Sequence, residues 1–213
     1  MTARAAILDY GGVMAASPVG RIHDLADQLG MERGVVVETI FGGHGDGSDN
    51  PWHDLEAGRC GFDDDFADRM QARFDAHGVR FDLASFVSWV CDATNEPQPL
   101  VVETVRRARA AGIPTLLLTN SVTGFFPVIE ATIPVDDLFD HVLESWRIGV
   151  RKPDALAYEM AAAALGVAPQ DCVFADDQEV NVAAARVLGM TGIFVADDLE
   201  ASLALADALG LDA

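Results

Sequence analysis

From Asn95 onward, apolar runs of four or five residues alternate with segments of helical period, and that rhythm leaves few folds open. Thr115 to Leu118, Phe139 to Leu143, Cys172 to Ala175 and Gly192 to Val195 read as short strands, and Ala5 to Leu8 has the form of a buried strand. Between them, Pro99 opens a helix with Val101, Val105 and Ala108 on one face, closing at Gly112. Pro153 opens another with Leu156, Met160, Ala163 and Ala164 inward, and a third carries Val180, Ala183, Ala184 and Val187 and stops at Gly189. A last helix starts at about Leu199. Strands alternating with helices of this length predict an α/β fold, a doubly wound parallel sheet covered on both faces, whose ligands bind outside the carboxyl ends of the strands.

The stretch from 15 to 94 has a different texture. It shows only helical periods, such as Ile22, Leu25, Ala26, Leu29, then Phe62, Phe66, Met70, Phe74, then Leu83, Phe86, Val87, Val90. The expected organisation is therefore a core of residues 1–14 and 95–213 with an all-helical insertion, residues 15–94, interrupted by a glycine-rich loop from Gly42 to Pro51.

The strand exits carry the polar chemistry: Asp9 before Gly11-Gly12, then Thr119-Asn120-Ser121, the stretch leading to Lys152, and Asp176-Asp177. Carboxylates aimed into one crevice repel each other unless a cation sits among them, and oxygen ligands with water-filled positions suit Mg²⁺. Each residue also has an ordinary structural reading. Asp9 can serve a turn, Asp177 can cap the following helix, Thr119 and Ser121 can do the same, and Lys152 can be a solvated helix start beside Arg151. Two cations at a helix N-terminus oppose its dipole, however, and Lys152 is the one lysine among 14 basic residues.

A net charge of −20 with no basic stripe disfavours nucleic acid and anionic membrane surfaces as partners. No stretch approaches the roughly 18 apolar residues of a span, and the start reaches Asp9 after a short apolar run, unlike a signal peptide. Cys60, Cys91 and Cys172 are scattered, implying neither a disulfide framework nor a zinc knuckle. The chain reads as cytoplasmic.

Leu8-Asp9-Tyr10-Gly11-Gly12-Val13, Leu118-Thr119-Asn120, Ser145-x-x-x-Gly149-x-x-Lys152-Pro153 and Phe174-Ala175-Asp176-Asp177-x-x-x-Asn181 resemble, in order and spacing, the four motifs of the haloacid dehalogenase superfamily. Within it the chain is most similar to the branch of bacterial glucose-1-phosphate phosphatases and the N-terminal phosphatase domain of soluble epoxide hydrolase. The resemblance implies a Rossmann-like core with a helical cap, a Mg²⁺ cofactor, and a small phosphorylated metabolite as substrate. It implies Asp9 as nucleophile, Thr119 and the Asn120 amide as phosphoryl binders beside Gly11 and Gly12, and Lys152 as the steadying charge. Asp9, the main-chain carbonyl of Gly11, Asp176 and Asp177 would hold the metal, with Asn181 in support. Related domains often form homodimers.

One position departs from the pattern. Most phosphatases of this superfamily carry a second Asp, a general acid, where this chain has Gly11, a contribution of about 10² to 10⁴ in rate. Either the leaving group needs little protonation, as with a sugar 1-phosphate, an acyl phosphate or a diphosphate, or the cap brings an acid from among His44, His53, Asp54 and Glu56. Otherwise the protein binds phosphate or diphosphate without hydrolysis, or acts as a lyase. A 2-haloacid dehalogenase is the rival hydrolase. Arg59, Arg147 and Arg151 are candidate local charges, and Phe41, Trp52 and Phe62 candidate walls of an apolar cap pocket, each of which can equally be surface or core.

Overall fold

The computed structural model describes residues 2–17, 21–42, 49–91 and 95–211. Five strands form one parallel sheet in the order β3-β2-β1-β4-β5: β1 (Ala5–Leu8), β2 (Thr115–Thr119), β3 (His141–Glu144), β4 (Cys172–Asp176) and β5 (Thr191–Phe194). The chain builds outward from β1 on one side and then crosses to β4 on the other, so the order reverses between β1 and β4 and opens a crevice at their carboxyl ends.

Alternation along β1 divides the core. Ala6 and Leu8 face a cluster with Val101, Val105 and Ala108 of α6 (Pro99–Ala110) and Leu205 and Leu209 of α12 (Asp198–Leu209). Ala5 and Ile7 face the opposite cluster, with Ala157 and Ala161 of α10 (Ala155–Ala164) and Ala185 of α11 (Glu179–Val187). Short helices α7 (Phe126–Thr132), α8 (Val135–Leu138) and α9 (Ser145–Ile148) join the strands.

Between β1 and α6 lie α1 (Ile22–Leu29), α2 (Arg33–Phe41), α3 (Pro51–Glu56), α4 (Asp64–Asp75) and α5 (Leu83–Cys91). Their apolar faces meet in a third cluster built on Ile22, Ile40, Leu55, Phe66, Phe74 and Phe86, which Val122 of the core joins. Two of these helices start where a side chain satisfies a free N–H group: Asn50 accepts from Trp52 N with Pro51 in the first turn of α3, and Asp63 accepts from Phe66 N at α4. The two passages into and out of this segment run side by side, with Ala16 N donating to Glu96 O and Gln98 N to Met14 O. At the turn after α3, Gly58 (φ +66°) lies against the main chain of α9, where a Cβ would come within 2.2 Å of Trp146 O.

Two helix faces differ from the sequence reading. On α10 the buried residues are Ala157, Tyr158, Ala161 and Ala162, and Leu156 is exposed. On α11 they are Asn181, Val182 and Ala185, and Val187 is exposed. Polar atoms decide both rotations: Tyr158 turns inward because its hydroxyl donates to Asn181 O at 2.9 Å, and Asn181 because its amide donates to Asp176 Oδ1 at 3.0 Å. Pro153 does not open α10, because Asp154 caps it by accepting from Leu156 N. Strand β3 begins at His141 rather than Phe139, which follows the last residue of α8 and is buried in the first core cluster. Most of the glycine-rich loop, with His44, falls outside the described residues.

Candidate active site at the strand exits

The strand exits converge on one crevice. Lys152 is buried, and its Nζ lies 2.8 Å from Asp9 Oδ1 and 2.6 Å from Asp176 Oδ2. Asp176 Oδ1 accepts from Gln178 N at 2.8 Å and from the Asn181 amide, so both its oxygens are held. Asp177 packs over Gly12, where a Cβ would come within 2.3 Å of its Oδ2. Gly12 has φ +77°, a conformation that costs glycine little, and its bare Cα is what admits the Asp177 carboxylate.

Asp9, Asp176 and Asp177 each offer an oxygen within 4.8 Å of the others. Burial raises the Asp9 pKa; Lys152 lowers it, Asp176 and Asp177 raise it, and it stands at about 7. Asp177 is raised by burial and by Asp176. Burial disfavours the Lys152 ammonium, but Asp176 and Asp9 outweigh it and its pKa is raised. A cluster of hard oxygen donors that repel one another suits Mg²⁺, which would relieve the repulsion.

The second exit is fixed around Lys152. The Asn120 side chain grips the lysine's main chain twice, Nδ2 donating to Lys152 O at 3.0 Å and Oδ1 accepting from Lys152 N at 2.9 Å. Thr119 is buried at the end of β2. Ser121 N donates to Ser145 Oγ, and Ser121 Oγ donates to buried Glu144. The capping readings fail: α7 and α11 have Phe125 and Gln178 at their N-caps, with no side-chain cap bond. Lys152 is not a solvated helix start.

Asp9, Thr119, Asn120, Ser121, Lys152, Asp177 and Asn181 line a cavity of about 410 Å³, together with Tyr10 and Gly11, and Asp176 is buried behind its wall. Of the residues proposed from the insertion, Phe41, Trp52, His53 and Glu56 reach it, and so does Arg151, whose Nε lies 2.6 Å from Glu56 Oε2. Asp54 does not; it pairs with Arg59 and Arg69. Arg147 pairs with Glu144, and Phe62 packs against Phe66 and Phe86 in the helical core. Sequence reasoning missed Val37, Trp89 and Phe125 in the cavity wall, since only tertiary packing brings them together.

A family model described as haloacid dehalogenase-like hydrolase matches residues 4–189. A phosphatase of Mycobacterium tuberculosis (Phosphatase MT3486) is 36% identical over 117 residues, 55% of this chain and 51% of the relative. An (S)-2-haloacid dehalogenase of Pseudomonas is 28% identical over 120 residues, 55% of this chain and 52% of the relative. The chain thus spans about half the length of these curated relatives. Among solved structures, a family enzyme of Bacteroides thetaiotaomicron in complex with magnesium and inorganic phosphate superposes with TM-score 0.65 at 16% identity, covering 92% of this chain and 96% of the other. Among the described residues no helix is long and apolar enough to cross a membrane.

Proposed function

The chain belongs to the haloacid dehalogenase-like hydrolases, and on that premise we propose that it is a magnesium-dependent phosphohydrolase working through an aspartyl-phosphate on Asp9. The observation that carries this reading is the trio of carboxylates around a buried lysine: Lys152 touches Asp9 and Asp176 at once, and Asp177 completes the donor set. A dehalogenase attacks carbon without a metal, and such enzymes in this superfamily usually lack the acid at the Asp176 position.

A carboxylate oxygen of Asp9 bonds to phosphorus while the bond from phosphorus to the leaving oxygen breaks. Thr119 and the main-chain N–H of Asn120 hold phosphoryl oxygens, the Asn120 side chain being committed to Lys152. Lys152 favours the ionised form of Asp9 and aims its carboxylate. When bound by Asp9, Asp176, Asp177 and the carbonyl of Gly11, magnesium supplies positive charge to a phosphoryl oxygen. Water then cleaves the acyl phosphate, releasing phosphate and restoring the Asp9 carboxylate. With Gly11 offering no acid, the substrate is a small phosphorylated metabolite whose leaving oxygen is only weakly basic.

Hydrolysis of p-nitrophenyl phosphate tests this reading. Activity in magnesium, lost in EDTA and in Asp9→Asn, is the expected result. Full activity in either condition refutes it. Halide release from 2-chloropropionate would favour the dehalogenase, and binding of magnesium and a phosphate mimic without even a single turnover would favour the non-hydrolytic module that Gly11 motivates.

A further inference from the structure

Asp9, Asp177 and Lys152 account for only part of the cavity wall. The remainder is mostly apolar, with Val37 and Phe41 of α2, Trp52 of α3, Trp89 of α5 and Phe125 beyond β2, while His53 and Gln178 are among its polar members. Charged groups there are already engaged with one another or with a ring. Arg151 and Glu56 neutralise each other at 2.6 Å, and the Arg21 guanidinium lies over Trp89 at 5.6 Å from the ring centroid.

Such a wall rewards some substrates and penalises others. A sugar phosphate would bring several hydroxyls against a mostly apolar wall, where few of them find a partner to replace lost water. An aromatic ring would gain burial and could extend the edge-to-face packing already present between Phe41 and Trp52, whose centroids lie 5.2 Å apart at 86°. The leaving-group requirement points the same way. Gly11 supplies no proton, and a phenolic oxygen, with a pKa of about 10, departs far more readily unprotonated than an aliphatic alkoxide.

We propose that the organic part of the substrate is apolar and aromatic: a phosphate monoester of a phenol-type alcohol, seated against Trp52 and Phe125 with its phosphoryl group at Asp9. This rests on the phosphohydrolase reading. Both carboxylate attack and water cleavage are unchanged by it; the aryl oxide leaves and takes its proton from solvent.

The experiment compares kcat/KM in magnesium for acetyl phosphate, phenyl phosphate, 1-naphthyl phosphate and glucose 1-phosphate, with wild type, Trp52→Ser and the cavity-filling Val37→Trp. Wild type is expected to prefer 1-naphthyl over phenyl phosphate by about tenfold or more, the scale of added apolar contact in a fitted pocket. Both variants are expected to lower the ratio of 1-naphthyl to acetyl phosphate by about tenfold. Acetyl phosphate has a good leaving group and no apolar body, and a misfolded fraction lowers both substrates alike, so the ratio reads the pocket. Acetyl phosphate turnover with no gain from the aromatic body, or with glucose 1-phosphate preferred, overturns this inference alone. Silence on every substrate, acetyl phosphate included, overturns the hydrolase reading and this inference with it.

Discussion

Glu56 at the end of α3 and Arg151, the residue preceding Lys152, form an ion pair of 2.6 Å whose side chains are only 8% and 17% exposed. The pair ties the helical segment to the loop that carries the site's lysine, beside the close approach of Gly58 to Trp146. Removing one partner leaves the other charge poorly solvated against the cavity wall. Glu56→Ala is expected to cost on the order of 1–3 kcal/mol in urea unfolding. The double variant Glu56→Ala/Arg151→Ala should be less destabilised than the sum of the single ones, a coupling of about 0.5–3 kcal/mol. Strict additivity in the cycle would show that the contact contributes nothing.

Magnesium binding should depend on pH through Asp9. In the metal-free protein its carboxyl is raised from the ordinary 3.8 to about 7, first by burial and then by Asp176 and Asp177 against the pull of Lys152. Between those values the folded protein binds more protons than the unfolded chain, so the stability Asp9 contributes is full below about pH 4 and lost as pH rises through about 7. A bound cation needs the carboxylate and reverses the trend. The rise in Tm on adding millimolar magnesium should therefore be small at pH 5.5 and largest near pH 8. An equal shift at both pH values would contradict the assignment of Asp9 as a ligand.

Asn120 should act through Lys152. Its side chain makes two hydrogen bonds to the lysine's main chain, so Asn120→Ala frees the segment that delivers Nζ to Asp9. A displacement of about 1 Å at a reacting group can cost 10²-fold, and a loss of that order in kcat is expected. Asn120→Asp keeps the acceptor for Lys152 N and should recover part of it. Wild-type kcat in the alanine variant would remove Asn120 from any positioning role.

How far the sequence reaches follows from which forces act locally. The strands were legible because Ala5–Leu8, Thr115–Thr119 and Cys172–Asp176 are buried on both faces and so carry uninterrupted apolar runs. Asp9 and Asp176 were legible for the same reason, since the chain turns polar where the sheet ends. The faces of α10 and α11 were not, because alanine-rich helices bear no stripe of size, and the deciding contacts run from Tyr158 to Asn181 to Asp176 across separate elements. Glu56 reads as a solvated acid until Arg151, remote in sequence, is placed against it. The placing of Val37, Trp89 and Phe125 in the cavity wall is likewise a product of packing, and no spacing rule links them.

Gly12→Ala tests the approach of Asp177. A methyl there would meet Asp177 Oδ2 at 2.3 Å, and alanine at φ +77° is strained besides. The strain alone is of order 1–3 kcal/mol, and the carboxylate must move away from Asp9 and Asp176. Thermal melting is expected to show lower stability, with calorimetric titration showing weaker magnesium binding in the fraction that folds. Unaltered magnesium affinity would mean that Asp177 does not ligate the ion.

Gly11→Asp should widen the substrate range. The leaving groups that Gly11 permits are weakly basic ones, because an alkoxide expelled without a proton is a poor leaving group, and general acid catalysis at this step is worth about 10² to 10⁴ in rate. A carboxyl at position 11 would line the same cavity as Asp9 and stand one residue before Gly12. Among buried carboxylates, its own pKa would be pushed up, which favours the protonated form a general acid requires. The variant should therefore gain on aliphatic phosphomonoesters such as glycerol phosphates, while aryl and acyl phosphates, which need no acid, change little. The ratio of the two rates is the decisive quantity, since a general loss from crowding lowers both. An unchanged ratio would show that protonation of the leaving oxygen is not what limits this enzyme.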